Sequence, residues 1–401
     1  MSQSNPLVEK QYSEWVYPEP ILDITEWKAK GNQQVCDPSV HHAMLWPERA
    51  PNPKLSILVA GCGTSQSAIL AYNNPTATVL GIDLSPTSLQ YTNALKEKHN
   101  LKNLELQKLD LHDVGVLGKK FDLIYSTGVL HHLPDPQKGL QSISKVLADD
   151  GVMCLMLYGK YLRAGVYWIQ EALARMGIQQ NKEGIAFTRA LIGSLPPWHA
   201  VQAYIQSAAT DLVYDGGLVD TFLHNQDRAY SVPEVLELIK NCGLSFQGWS
   251  DNLLYYPDGL IPEDHPTYHQ LAPMPDEQQW AVVELLIQNL GTHGFLVRKN
   301  SADDSAYRID YNKPSFLKTI PSRRFASMVN DEDGAIEFRR SWHNLKLGGL
   351  ERSLYLAVNG KETIEEIIGK EAKKPIDMLQ AQHFFKRMGR LGHLTYSWIA
   401  S

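Results

Sequence analysis

Apolar and polar positions along the chain alternate between two spacings. Short apolar-rich runs at Leu55–Ala60, Thr78–Ile82, Leu104–Leu109, Phe121–Ser126 and Val152–Tyr158 predict strands, and the last is almost continuously apolar, as for a strand covered on both faces. Between them the spacing turns helical. One helix begins at Ser67, a second runs from Pro86 to about Asn100 behind Ser85 as its cap, and a third, Gln137–Leu147, sets Leu140, Ile143, Val146 and Leu147 on one face. The rhythm resumes with a helix at Pro233–Lys240, a strand at Leu244–Leu254, a helix at Glu277–Leu290 and a strand at Thr292–Arg298. Strands and helices in this order predict an α/β fold built on a doubly wound, mostly parallel sheet.

The alternation stops from Gly159 to Tyr230. Tyr161–Met176, with Leu162, Val166, Ile169 and Leu173 at helical spacing, is followed by helical patterns at Ala186–Leu195 and His199–Ala209. An insertion after the fifth strand predicts a helical cap over a substrate, or else an interaction surface. The segment Val8–Pro20, rich in aromatics and prolines (Tyr12, Trp15, Tyr17), predicts an arm on the surface or a lid whose aromatics cover the cofactor or substrate, with Tyr17 as a substrate candidate, and Pro38–Pro53 reads as a proline-punctuated connection. A polar linker at Ser301–Ser315 separates off a tail with helices at Gly349–Val358, Thr363–Gly369 and Ile376–Met388 and a closing strand at Leu394–Ile399. The expected domains are an N-terminal arm or lid (1–53), a main domain (54–300) with its insertion (159–230), and a small winged-helix-like α+β domain (316–401).

Composition narrows the function. With 401 residues, 43% hydrophobic and 20% charged, the chain reads as an ordinary soluble protein of the cytoplasm, with no run long enough for a membrane span and no signal-peptide core. The charge is uneven: 16 Lys and Arg against 13 Asp and Glu from Ser301 onward (+3), and 22 against 31 before it (−9). An acidic main domain argues against nonspecific nucleic-acid binding, and the tail carries only Lys386, Arg387 and Arg390 as bases on its last helix, which favours docking or regulation over DNA reading. Cys36, Cys62, Cys154 and Cys242 are widely spaced, which argues against a zinc site and a disulfide framework, and no metal is expected.

The chemistry is concentrated where the first strand ends. Gly61 and Gly63 form a tight turn into a helix, and Asp83 closes the second strand 22 residues after Gly61, the separation at which a βαβ unit brings a carboxylate to a ribose diol. A dinucleotide loop wants a third glycine at the position of Gln66, so NAD and FAD are disfavoured. The strings GCGT (Gly61–Thr64) and GIDLS (Gly81–Ser85) resemble the first two motifs of class I S-adenosylmethionine-dependent methyltransferases, and TGVLHHLPDP (Thr127–Pro136) is similar to a phrase in members acting on quinones, lipids and other small molecules. The chain departs from that family at Val59, where an acid is common, and at Ser65, where a glycine is. The resemblance implies a Rossmann-like, seven-stranded sheet with its last strand antiparallel between the fifth and sixth, S-adenosylmethionine as cofactor, and contacts to it from Gly61, Cys62, Gly63, Asp83, Leu84, Asp110, Leu111 and Ser126, with Asp83 on the ribose and Asp110 on the adenine amine.

His131 and His132 stand where such a sheet opens its ligand crevice, and a histidine suits proton removal near neutrality. They are the catalytic candidates, although methyl transfer from a sulfonium also proceeds by alignment alone, and either ring could instead pack or contact the cofactor. The polar string LHNQDRAY (Leu223–Tyr230), resembling one in bacterial methyltransferases, places His224, Asp227 and Arg228 as substrate-recognition candidates beside Tyr17, with an Asp227–Arg228 salt bridge or a capping network as the structural alternative. The function expected is methyl transfer to a small or medium-sized acceptor. A peptide or protein acceptor docked by the tail, or a non-catalytic S-adenosylmethionine-binding regulator, are the alternatives.

Overall fold

The computed structural model describes residues 6–208, 210–300, 304–324, 335–340 and 343–399. The end of the helix expected over His199–Ala209 and the start of the linker at Ser301 therefore lie outside the described residues. By density of contacts the chain divides into two units. One holds the described residues up to Val35, Pro53–Phe246 and Ile287–Asn300, and the other holds Cys36–Asn52, Gln247–Leu286 and the described residues from 304 onward.

The first unit is built on a sheet of strands β1 (Ser56–Ala60), β2 (Thr78–Asp83), β3 (Leu104–Lys108), β4 (Phe121–Thr127), β5 (Leu147–Gly159), β6 (Ala229–Tyr230), β7 (Leu244–Trp249) and β8 (Thr292–Lys299). Seven of them run in the order β3-β2-β1-β4-β5-β8-β7, and the two-residue β6 pairs with the end of β5. β1, β2, β3, β4 and β5 are mutually parallel, and β8 lies antiparallel against β5. This is the seven-stranded, Rossmann-like methyltransferase sheet. Strand order reverses at β1, so the crevice that receives a ligand opens beyond the carboxyl ends of β1 and β4. Covering helices bury Ile57, Leu58, Val59 and Ala60 completely, which is why β1 reads as apolar.

Several elements differ from the expected ones. The strand expected from Val152 begins earlier, since β5 runs unbroken from Leu147 and takes up the difference as a register shift against Phe121 and Leu123. The arm begins as a helix, Pro6–Glu14, and the connection after residue 37 contains a helix, Pro38–Leu45, capped by Asp37. Within the insertion, helices Ala164–Arg175, Lys182–Ser194 and Val201–Ser207 are joined by Asp215–Phe222, which sequence patterning missed. Its Gly216 and Gly217 are poor helix formers but are required by packing: a Cβ at Gly217 would lie 1.9 Å from the Asp211 carbonyl oxygen, and one at Gly216 2.3 Å from that of Val16. The insertion has its own apolar core, including Val166, Ile169, Leu173, Val201, Val219 and Phe222.

In the second unit, helices Gly349–Ala357, Ile364–Glu371 and Pro375–Arg390 bury Leu354, Ile364, Ile367, Phe384, Phe385 and Met388 together. The second of these helices starts at a capping box between Thr363 and Glu366. Strand β9 (Ile320–Arg323) pairs antiparallel with β12 (Leu394–Ser397), and β10 (Ile336–Arg340) with β11 (His343–Leu347). Among the described residues no helix is long and apolar enough to cross a membrane.

Candidate active site

The glycine turn is held by both of its neighbours. Gly61 and Cys62 each donate a backbone N–H to the Ile82 carbonyl at 2.9 Å, and Gly61 and Gly63 take φ of +77° and +55°, values that glycine adopts without strain. A Cβ on Gly61 would meet Val129 Cγ2 at 2.3 Å, so only glycine admits the close approach of β4's loop. Asp83 binds this turn to the one after β2, since its carboxylate accepts N–H bonds from Gly63 (2.9 Å) and Ser85 (2.8 Å). Burial pushes its carboxyl up from the usual range, and the N–H bonds from Ser85 and Gly63 oppose that.

The other expected cofactor residues surround this turn or flank it. Cys62 is buried and its thiol is pushed up by burial, so it is a packing residue rather than a thiolate. Leu84 is half-buried and Leu111 is buried. Ser126 is fully buried, and its hydroxyl has no hydrogen-bond partner. Asp110 caps the short helix Leu111–Leu117 by accepting from the His112 N–H, and it also contacts His112 Nδ1 at 2.8 Å. A turn whose Gly61 admits no side chain, a carboxylate with lone pairs to spare at the end of β2 and an orphaned hydroxyl on β4 fit S-adenosylmethionine.

The arm joins this loop to the insertion. Ser85 and Thr87 donate hydroxyl bonds to the Tyr12 and Ser13 carbonyls at 3.1 and 3.4 Å, and Thr64 to that of Pro18 at 3.2 Å. On the other side the arm's Val16 carbonyl rests against Gly216.

Where arm, β4 loop, β5 and insertion meet, a buried polar cluster forms. Asp220, 2% exposed, accepts hydroxyl bonds from Tyr12 and Tyr158, each at 2.8 Å. His132 and His224 stack with ring centroids 4.0 Å apart, and His131 stacks on Tyr158 at 3.8 Å with neither ring nitrogen partnered. Burial is the main cause holding all three histidines below the usual imidazole range, so they are neutral near pH 7. Gln226 sets two of the tautomers. Its carbonyl accepts from His132 Nδ1 (3.2 Å), which leaves the lone pair on His132 Nε2. Its N–H donates to His224 Nδ1 (2.9 Å), which puts the His224 proton on Nε2, 3.4 Å from the Tyr12 hydroxyl.

The remaining substrate candidates separate. Asp227 pairs with Arg163 at 3.4 Å, both side chains 2% exposed, and not with Arg228. Arg163 also lies 3.7 Å over the Tyr158 ring and donates to the Tyr204 hydroxyl at 2.7 Å. Arg228 is exposed, stacked over Tyr230 and 3.6 Å from Glu234. Tyr17 stacks on Tyr214 at 6.3 Å, its phenol kept protonated chiefly by burial and then by Asp220. The structure thus brings His131, His132, His224 and Asp227 together and leaves Arg228 and Asp110 outside the cluster.

Sequence reasoning missed Asp220, Tyr158, Arg163 and the part played by Tyr12. A signal existed for Asp220, a lone acid in the apolar string GLVDTF, where a charge is buried only for a reason. Among the described residues His132, Asp220 and His224 converge closely enough to hold a cation, with candidate ligand atoms within 4.8 Å of one another. The Gln226 N–H opposes that role, because it occupies His224 Nδ1 and leaves a proton on Nε2.

Comparison with known proteins bears out the sheet. Residues 51–189 match the family model of a methyltransferase domain. An uncharacterized protein of Synechococcus sp. is 30% identical over 57% of this chain and 57% of its own length, and the trans-aconitate 2-methyltransferase of Deinococcus radiodurans is 36% identical over 28% of this chain and 40% of its own. The chain thus spans about half the length of these curated relatives. PKMT2 from Rickettsia typhi, solved in complex with AdoHcy, shares the fold over 95% of this chain and 77% of its own, with a TM-score of 0.64 at 15% identity. Residues 51–189 of this chain thus match a methyltransferase domain, and the sheet has the Rossmann-like fold of class I S-adenosylmethionine-dependent methyltransferases.

Proposed function

We propose that the protein transfers a methyl group to a small or medium-sized acceptor seated at the Tyr12–His132–Asp220 cluster, with His132 receiving a proton from it. S-adenosylmethionine, when bound, supplies an electrophilic methyl group on a sulfonium. Gly61, Gly63 and Asp83 would hold it, joined by Cys62, Leu84, Asp110, Leu111 and Ser126. The arm excludes water from the cluster, which strengthens every polar contact inside. The observation that carries the reading is the Nε2 lone pair of His132, kept unprotonated by burial and aimed by the Gln226 carbonyl. The trans-aconitate 2-methyltransferase relative supports a small acceptor.

A second reading, a peptide or protein acceptor docked on the insertion, draws on Trp168, Trp198 and Val213, which are 57%, 85% and 77% exposed there. Calorimetric titration with S-adenosylmethionine, S-adenosylhomocysteine and NADH as control, followed by an acceptor screen with labelled methyl donor, tests both. Binding of the first two with label transferred to small molecules supports the main reading, and label transferred only to polypeptides supports the second. Binding without any turnover would establish the non-catalytic regulator instead.

A further inference from the structure

The polar cluster has an unbalanced charge. Asp220 is a buried carboxylate whose partners are the hydroxyls of Tyr12 and Tyr158, neutral donors that leave its charge in place. The nearby cation, Arg163, is committed to Asp227. His131, His132 and His224 are held neutral by burial. Two carboxylates, Asp220 and Asp227, therefore face one guanidinium, Arg163, among the rings of Tyr12, Tyr158, His132 and His224. A buried uncompensated charge is costly, and what compensates it best is a cation small enough to lie against aromatic faces. A carboxylate acceptor would meet repulsion there, and an alcohol would leave the charge unanswered.

Resting on the methyltransferase reading above, we propose that the acceptor is an alkylamine, bound as its ammonium ion by the Asp220 carboxylate and deprotonated by His132. The step is balanced within the site: an N–H bond of the ammonium breaks, the proton joins the lone pair on His132 Nε2, and the electron pair stays on the nitrogen, which becomes a neutral nucleophile. His224 cannot take that proton in the tautomer that the Gln226 N–H imposes, since Nε2 then already bears one. The proton's destination is thus fixed by which ring faces the Gln226 carbonyl and which its N–H.

The test uses the full-length protein with S-adenosylhomocysteine present, so that binding is read without turnover. Calorimetric titrations compare three probes of one size, n-pentylamine, n-pentyl alcohol and pentanoate. The expected result is that the amine binds at least about tenfold more tightly than either competitor and that Asp220→Asn removes about tenfold of its affinity, the scale of one charge-assisted contact. Alcohol or pentanoate binding as tightly as the amine would overturn the proposal without recourse to any variant. So would an Asp220→Asn protein that binds the amine normally but loses affinity for S-adenosylmethionine and not S-adenosylhomocysteine, because Asp220 would then serve the donor's sulfonium. S-adenosylhomocysteine is titrated separately beforehand, and its failure to bind would sink the methyltransferase reading, whereas amine failure with S-adenosylhomocysteine bound sinks this one alone.

Discussion

His132 and His224 stack at 4.0 Å with their protons on opposite nitrogens, because the two backbone groups of Gln226 address them with opposite polarity. One ring is thereby an acceptor at Nε2 and the other a donor. Replacing His132 with Asn should lower kcat by about 10²–10⁴-fold with little change in KM, the range for losing a positioned base. In the native protein the rate should hold from neutrality down past pH 6.5 and fall only as the pH drops through the depressed value of His132. A kcat profile that breaks at or above the ordinary imidazole value would rule His132 out as that base.

Asp83 has two separable roles, one toward the loop and one toward the ligand. Asp83→Ala removes the acceptor for the Gly63 and Ser85 N–H groups and should cost about 2–4 kcal/mol of stability as well as cofactor affinity. The two N–H groups bond to different carboxylate oxygens, so Asp83→Asn keeps an acceptor for one of them and should cost less stability than Asp83→Ala while still losing affinity. Melting curves and S-adenosylhomocysteine titrations on both variants separate the two, and unchanged affinity in both would remove Asp83 from the cofactor site.

Gly61→Ala sets a Cβ 2.3 Å from Val129 Cγ2 at a φ of +77°. The loss should be about 2–3 kcal/mol, part steric and part conformational. Adding Val129→Ala should restore the steric part only. A double variant as unstable as the sum of the two single ones, measured by denaturant unfolding, would show that the contact is not what excludes the side chain.

Arg163 and Asp227 form an ion pair with both side chains 2% exposed. Asp227→Leu should destabilise by about 3–5 kcal/mol by stranding the guanidinium, while Arg163→Met with Asp227→Leu should cost much less than the Arg163→Met and Asp227→Leu losses together. Unfolding free energies of the four proteins close the cycle.

Acid should loosen the fold through its neutral histidines. His41, in the second unit, is held to about 4, first by burial and then by Arg324, with Asp37 opposing. Its folded value is depressed, so the unfolded chain binds the proton first. Stability is full above pH 6.5 and is lost as the pH falls from there toward 4, by roughly 3 kcal/mol for this residue. His41→Leu should flatten that slope in melts taken between neutrality and pH 4, and an unchanged slope would place the acid sensitivity elsewhere, His131, His132 and His224 being next.

How much of this was legible follows from the range of the forces involved. The strands, the order of the alternation, the cap at Ser85, the glycine turn and the carboxylate at Asp83 are local matters of periodicity, φ and spacing, and the chain carries them within windows of some twenty residues. Even there, local patterning lost the helix at Asp215–Phe222, whose two glycines answer to Val16 and Asp211 and not to helix propensity. The active-site cluster is of another kind. Tyr12, His132, Tyr158 and Asp220 come from four elements up to 208 residues apart, and nothing near any of them in the chain announces the others. What made His132 an acceptor and His224 a donor was the placement of a single peptide segment at Gln226 between two rings. Charge balance, tautomer and desolvation are properties of a three-dimensional neighbourhood, so only the tertiary structure could decide them.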